Sequence, residues 1–141
     1  MNNYFEVAIK EAKKAMKNDE VPIGAVIVKN NKIIAKTHNN RQSKNSIIGH
    51  AEINCIIKAE KKLKDWRLNE CEMYVTLEPC DICKIFIEKS RIKSVYYLTK
   101  QNNLSNRTKN TVFLQTNDCK NLKKEAEDLI KNFFLNLRNK I

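Results

Sequence analysis

The segment Glu72-Met73-Tyr74-Val75-Thr76-Leu77-Glu78-Pro79-Cys80-Asp81-Ile82-Cys83 changes its structural grammar half-way. Glu72 to Leu77 is alternating and β-prone, which predicts a strand. Pro79 then suits the first turn of a helix, where a missing N–H costs little. A strand running straight into a helix is the unit of an α/β fold, and the rest of the chain repeats it. Upstream, His50 to about Leu63 reads as a helix, with Ala51, Cys55, Ile56 and Ala59 on one stripe. Before it, Ile23 to Val28, introduced by Pro22 and containing Gly24, reads as a strand. Asn30-Asn31 supplies a tight turn, because Asn tolerates the left-handed backbone region. Lys32 to Asn39 continues as the hairpin partner, and Asn40 to Gly49 is a polar loop. The first helix is expected over about Asn3 to Asn18, through Phe5, Ala8, Ile9, Ala12, Ala15 and Met16. Downstream, strands are expected at Ile92–Leu98 and Thr111–Gln115. A last helix is expected over about Asn121 to Arg138, its face formed by Leu122, Ala126, Leu129, Ile130, Phe133, Phe134 and Leu137. This order predicts a mixed five-stranded sheet with helices on both faces, in a single domain spanning 1–141.

Composition narrows the function classes. Apolar residues make up 42% of the 141, enough for one core, and 30% are charged. The longest apolar runs, such as Ala25 to Val28 and Ile85 to Ile87, are too short to span a bilayer. No signal peptide is recognisable at Met1 to Glu6, so the cytoplasm is the expected location. Lys and Arg number 27 against 16 Asp and Glu, a net charge of +11. That excess favours a polyanionic partner, nucleic acid first, against the alternative of a compositional bias towards Lys, Asn and Ile. Five cysteines, an odd number without a secretion signal, point to metal binding or free thiols rather than a disulfide framework.

The chemistry concentrates in two clusters, His50-Ala51-Glu52 and Pro79-Cys80-Asp81-Ile82-Cys83. Cys80 and Cys83, three apart at a helix start, share a face, and the positive end of the helix favours their thiolates. Two thiolates and one imidazole make three zinc ligands, and a fourth position left to water marks a catalytic site. Glu52, two residues after His50, can lie beside the metal without joining it. Zinc lowers the pKa of a bound water to about 7, and Glu52 can take a proton from that water and return it to a leaving group. The pattern H-x-E followed by P-C-x-x-C is that of zinc deaminases of nucleobases. Two other readings compete. C-x-x-C can be a redox pair, but His-Ala-Glu at a second helix start argues against that. A structural zinc site would need Cys55, Cys71, Cys119 or His38 as a fourth ligand, and none is paired in spacing with His50. Cys55 reads as a small buried residue, and Cys71 and Cys119 as chemically idle.

Beyond these clusters, the chain resembles the bacterial-type tRNA-specific adenosine deaminases, of the cytidine deaminase-like fold. Glu20 to Val28 resembles the first strand of that family and His50-Ala51-Glu52-Ile53 its helix start. Tyr74 to Cys80 resembles the strand leading to its cysteines. Ser90-Arg91-Ile92, Trp66-Arg67-Leu68 and Phe133-Phe134 also fit. The resemblance implies a three-layer α/β/α architecture and deamination of adenosine to inosine at the wobble position of a tRNA anticodon. It implies one zinc per protomer on His50, Cys80 and Cys83, Glu52 as the catalytic residue, and a homodimer. It places Asn39 and the backbone N–H of Ala51 against the flipped base, although Asn39 alone would also read as a turn residue. It brings the last helix near an anticodon stem. Lys123, Lys124, Lys131, Phe133, Phe134 and Arg138 are then candidate RNA contacts, against the plainer reading of a solvated face mixed with Glu125, Glu127 and Asp128. One of the two phenylalanines is expected to be buried, the other partly exposed. The chain departs from the family in two places. Lys84-Ile85-Phe86 stands where small residues are usual, which bears on the dimer contact. Gln101 to Asn110 lacks a Gly-rich loop. The zinc motif alone also fits guanine or cytosine deaminases acting on free bases, and, more remotely, a non-catalytic RNA-binding subunit.

Overall fold

Asn30 and Asn31 both take positive φ, 52° and 62°. A type I′ hairpin turn, whose twist matches its strands, needs that conformation at both positions. In the computed structural model, which describes residues 2–101 and 110–139, they join β1 (Gly24–Lys29) to β2 (Lys32–His38). β1 also pairs antiparallel with β3 (Cys71–Leu77). β3 runs parallel to β4 (Ser94–Thr99), and β4 parallel to β5 (Val112–Gln115). The strand order is β2-β1-β3-β4-β5, the expected mixed sheet of five.

The period of two along β1 feeds two cores. Ala25 and Ile27 face one side, with Met73, Val75 and Val95. They pack under α2 (Ala51–Leu63) and α3 (Asp81–Lys89) through Ile53, Ile56, Ala59 and Ile87. Val26 and Val28 face the other side, under α1 (Asn2–Lys17) and α4 (Lys120–Asn139), against Phe5, Ala8, Ile9, Leu98 and Ala126. Helices therefore cover both faces, as the element order predicts. Gly24 sets the approach of α1 to the sheet, since a Cβ there would stand 1.9 Å from the carbonyl oxygen of Ala8.

Three expectations shift. Pro79 lies just outside the helix, because Cys80 is extended (φ −69°, ψ 169°) and is itself the N-cap of α3. His50 likewise caps α2 instead of beginning it. On α4 only Ala126 is buried, and Leu135 and Leu137 are exposed, the latter on the expected apolar face. The expected loop from Gln101 to Asn110 falls, over residues 102–109, outside the described residues. Among the described residues no helix is long and apolar enough to cross a membrane.

Candidate active site

Two helix starts converge at one end of the sheet. His50 caps α2 and Cys80 caps α3, and neither makes a side-chain capping bond. The two side chains face each other, with His50 Nδ1 4.0 Å from Cys80 Sγ. Cys83, one turn into α3 and fully buried, completes a trio whose ligand atoms all lie within 4.8 Å of one another. Two zinc bonds of about 2.0 Å (N) and 2.3 Å (S) at a tetrahedral angle subtend roughly 3.6 Å, close to the His50–Cys80 separation. Donor type and spacing thus fit a zinc ion. Cys55, Cys71 and Cys119 are buried in the two cores, and none of them joins this group of ligand atoms. Burial pushes the Cys55 thiol up to about 12, so it packs as an inert residue.

The protons of the trio are shared. Hydrogen bonding from the Cys83 thiol, with help from His50, holds Cys80 down at about 4. The same Cys80 interaction, added to burial, raises Cys83. Hydrogen bonding to Cys80 outweighs burial at His50 and raises its pKa. This hydrogen bonding favours the thiolate of Cys80, the form in which a cysteine ligates a metal.

Glu52 stands next to this trio on the first turn of α2. The residue is 3% exposed, and its Oε1 has no hydrogen-bond partner among the described residues. Burial pushes its carboxyl from 4.5 to about 7. A buried carboxylate oxygen without a partner is costly, so its retention beside a trio that could hold a metal marks a group that meets something from outside the chain.

Asn39, just after β2, is 4% exposed, and its Oδ1 accepts the N–H of Ala51 at 2.8 Å. The Ala51 N–H, which the resemblance sets against a base, is thus hydrogen-bonded to Asn39. The bond also fixes the side-chain orientation, since the oxygen is taken and the amide NH2 is the end left to donate. Asn39, His50, Glu52 and Cys80 all line one cleft of about 380 Å³. Its walls include Ile23, Leu77 and Glu78, and at its mouth stand Arg41, Lys100, Gln101, Ile130 and Phe134.

Of the α4 residues singled out from the sequence as RNA contacts, Phe134 alone reaches this cleft. Phe133 packs edge-to-face on it at 5.3 Å and faces Met16 and Leu137 instead. Neither ring is buried: Phe133 is half-buried and Phe134 is 44% exposed, so the expectation of one buried phenylalanine fails. The cause is the run of α4 past its last buried residue, Ala126. Lys124, Lys131 and Arg138 are exposed and Lys123 half-buried.

Across residues 1–138 the chain matches the MafB19-like deaminase family. It is similar to a tRNA-specific adenosine deaminase of Aquifex aeolicus, 35% identical over 98% of this chain and 96% of that protein. The chain belongs to the tRNA-specific adenosine deaminase family. A family relative from Bacillus subtilis is 49% identical over 67% of this chain, a match that spans 58% of that protein. A solved structure from studies of A-to-I editing by tRNA:A34 deaminases superposes with a TM-score of 0.83, at 29% identity, covering 92% of this chain and 99% of that one.

Within this deaminase frame, Arg41, Glu78, Lys100 and Gln101 are cleft residues that sequence reasoning did not single out. They lie on loops or strand ends, where no periodicity marks them. Lys84, where the resemblance leads one to expect a small residue, is buried at 4% exposure. Its Nζ lies 3.3 Å from Glu78 Oε2 and 5.3 Å from the centre of the Phe113 ring. A long side chain is thus accommodated inward, while Ile85 and Phe86 beside it point out, 60% and 41% exposed.

Proposed function

We propose that this protein hydrolytically deaminates adenosine to inosine at the wobble position of a tRNA anticodon, as one deaminase domain over 1–141. The observation that carries this is the buried Glu52 Oε1, without a partner among the described residues, in the lining of a cleft beside His50, Cys80 and Cys83. Those three residues would hold one zinc per protomer. When bound, zinc supplies Lewis acidity that brings the pKa of a coordinated water down to about 7. Glu52 takes the proton of the attacking water and delivers it to the departing amine, so that adenosine and water give inosine and ammonia. Asn39 donates its amide N–H to an acceptor on the base, held in that orientation by the Ala51 N–H. Ala51 itself reaches the base only by sharing that N–H. Leu77 and Ile23 supply apolar walls for a purine, and Phe134, which also lines the cleft, stacks on a neighbouring base.

The cleft mouth carries Arg41 and Lys100, both exposed. With a net charge of +11 they favour a phosphate backbone over a free base. Lys123, Lys124, Lys131 and Arg138 extend this basic character along α4. A homodimer is supported by the outward apolar positions of α3, Ile82, Ile85 and Phe86, which are 53%, 60% and 41% exposed. Ile85→Glu should then shift the sedimentation profile towards monomer. A tRNA substrate and the lack of a membrane-crossing helix among the described residues support a cytoplasmic location.

The test is a deamination assay that compares an anticodon stem-loop with free adenine, guanine and cytosine. Turnover of the stem-loop far above that of the free bases is expected. Turnover of guanine or cytosine with none on any tRNA would replace this reading by a free-base deaminase.

A further inference from the structure

Glu20 lies between α1 and β1, well removed from the metal trio in sequence, yet it is 3% exposed. Its own N–H bonds back to Ala15 at the end of α1, which anchors it to the framework. Its carboxylate accepts two backbone N–H groups from the 40–49 loop, Gln42 at 3.0 Å on Oε1 and Ser43 at 2.7 Å on Oε2. A carboxylate that spends both oxygens on consecutive amides holds that backbone in one place, and such charge-assisted bonds are the stronger kind.

The segment so held is a compact turn. Lys44 N–H bonds to Asn40 O, Asn45 N–H to Gln42 O and Ser46 N–H to Arg41 O. Its stem is closed by Asn40 N–H to Gly49 O, and a Cβ at Gly49 would stand 2.7 Å from the Arg41 backbone. Asn54 of α2 ties the stem down through Asn40 Oδ1 at 2.8 Å. Arg41, the residue directly before the two amides that Glu20 grips, is the one member of the turn that lines the cleft. It stands between Asn39 and His50 in the chain, on the way from the base-facing side chain to the metal trio.

We infer that Glu20 is a positioning residue for substrate binding: it fixes the 41–46 turn and so aims Arg41 across the mouth of the cleft. It touches no reacting atom and acts through Arg41. This rests on the proposed reading of an RNA substrate, but its structural half does not.

The decisive experiment uses the zinc-loaded protein and the single variants Glu20→Gln and Arg41→Gln with their double variant. Glutamine keeps the volume of Glu20 but offers one acceptor in place of two. For Glu20→Gln, zinc content should stay at the wild-type level. Hydrogen exchange in the peptide covering residues 41–46 should accelerate at least several-fold, and that covering 71–77 should not change. With an anticodon stem-loop as probe, KM should rise about tenfold with kcat within twofold, a loss of one decade in binding. The double variant should have the KM of Arg41→Gln alone, because the two residues act in series. A residue that merely supports the fold would lower kcat and zinc content together and would multiply the Arg41→Gln effect. Either of those results, or unchanged exchange over 41–46, overturns the inference. If the wild-type protein does not turn over a stem-loop, the substrate reading fails. In that case the KM and coupling arms are run on whichever base is the substrate, and the exchange arm stands unchanged.

Discussion

The starts of α2 and α3 and the end of α4 both border the cleft, and they are built in opposite ways. At the helix starts each functional group is held by its place in a helix or by burial. His50 and Cys80 are caps whose backbones begin the two helices, Cys83 is fully buried, and Glu52 is walled in at 3% exposure. At the end of α4 little is fixed. Past Ala126 no residue of that helix is buried, and Phe134, Leu135 and Leu137 are each more than two-fifths exposed. The difference separates two tasks. Proton transfer needs groups held to a fraction of an ångström in a dry setting. Gripping a large charged substrate needs reach and charge, which exposed side chains supply. Substitutions at the helix starts should therefore abolish chemistry, and those on α4 should grade binding.

The largest effect is expected for Cys83→Ala. Removing a ligand from a set of three should strip the metal, and with it both turnover and stability, because metal binding energy is coupled to folding. Elemental analysis and thermal unfolding check this together. Full zinc occupancy in the variant would remove Cys83 from the ligand set and collapse the contrast between the two regions. Next comes Glu52→Ala, which should keep zinc and fold while losing roughly 10²–10⁴-fold in kcat, the range of a proton shuttle. If that variant sheds its zinc instead, Glu52 is a ligand. Phe134→Ala should cost less. A stacking partner is worth about 1–3 kcal/mol per base, so stem-loop binding should weaken by between about 5-fold and 150-fold with zinc retained. An unchanged Kd in fluorescence anisotropy would show that the ring is rim and not platform.

The same contrast explains what is legible in the sequence. The five strands are legible because each alternates or is β-branched and lies between residues that break it, such as Pro22 before β1 and Asn30-Asn31 after it. The grouping of His50, Cys80 and Cys83 with Glu52 beside it is legible because ligand chemistry restricts residue type and spacing. Arg41 is not, since nothing in Asn40 to Gly49 has a period, and its place over the cleft depends on Glu20, about twenty residues upstream. Nor can the sequence say which of Phe133 and Phe134 turns to the cleft. The two are adjacent on a helix and differ by about 100° in direction, and the choice follows from where α4 stops packing on the sheet. The burial of Lys84 is not legible either. Lysine is exposed on average, yet here it is buried and paired with Glu78.

The smallest effects are expected on the charged face of α4, and they test whether its cations act by place or by number. Ile130 and Phe134 line the cleft and are four residues apart, so they mark one row of the helix. Arg138 continues that row by a further four residues, whereas Lys124 lies off it. Both are exposed, so removing either changes net charge equally and disturbs no core. If only the overall charge of +11 matters, Arg138→Ala and Lys124→Ala should weaken stem-loop binding by the same small factor. If α4 presents its row to the RNA, Arg138→Ala should weaken binding several-fold and Lys124→Ala by less than twofold. The salt dependence separates the cases further. For every phosphate left without its cation, the slope of log K against log[salt] should fall by about one, or about 0.7 for single-stranded RNA. A reduced slope for Arg138→Ala beside an unchanged slope for Lys124→Ala places the substrate along the cleft row. Equal slopes would mean that this face contributes through its field alone.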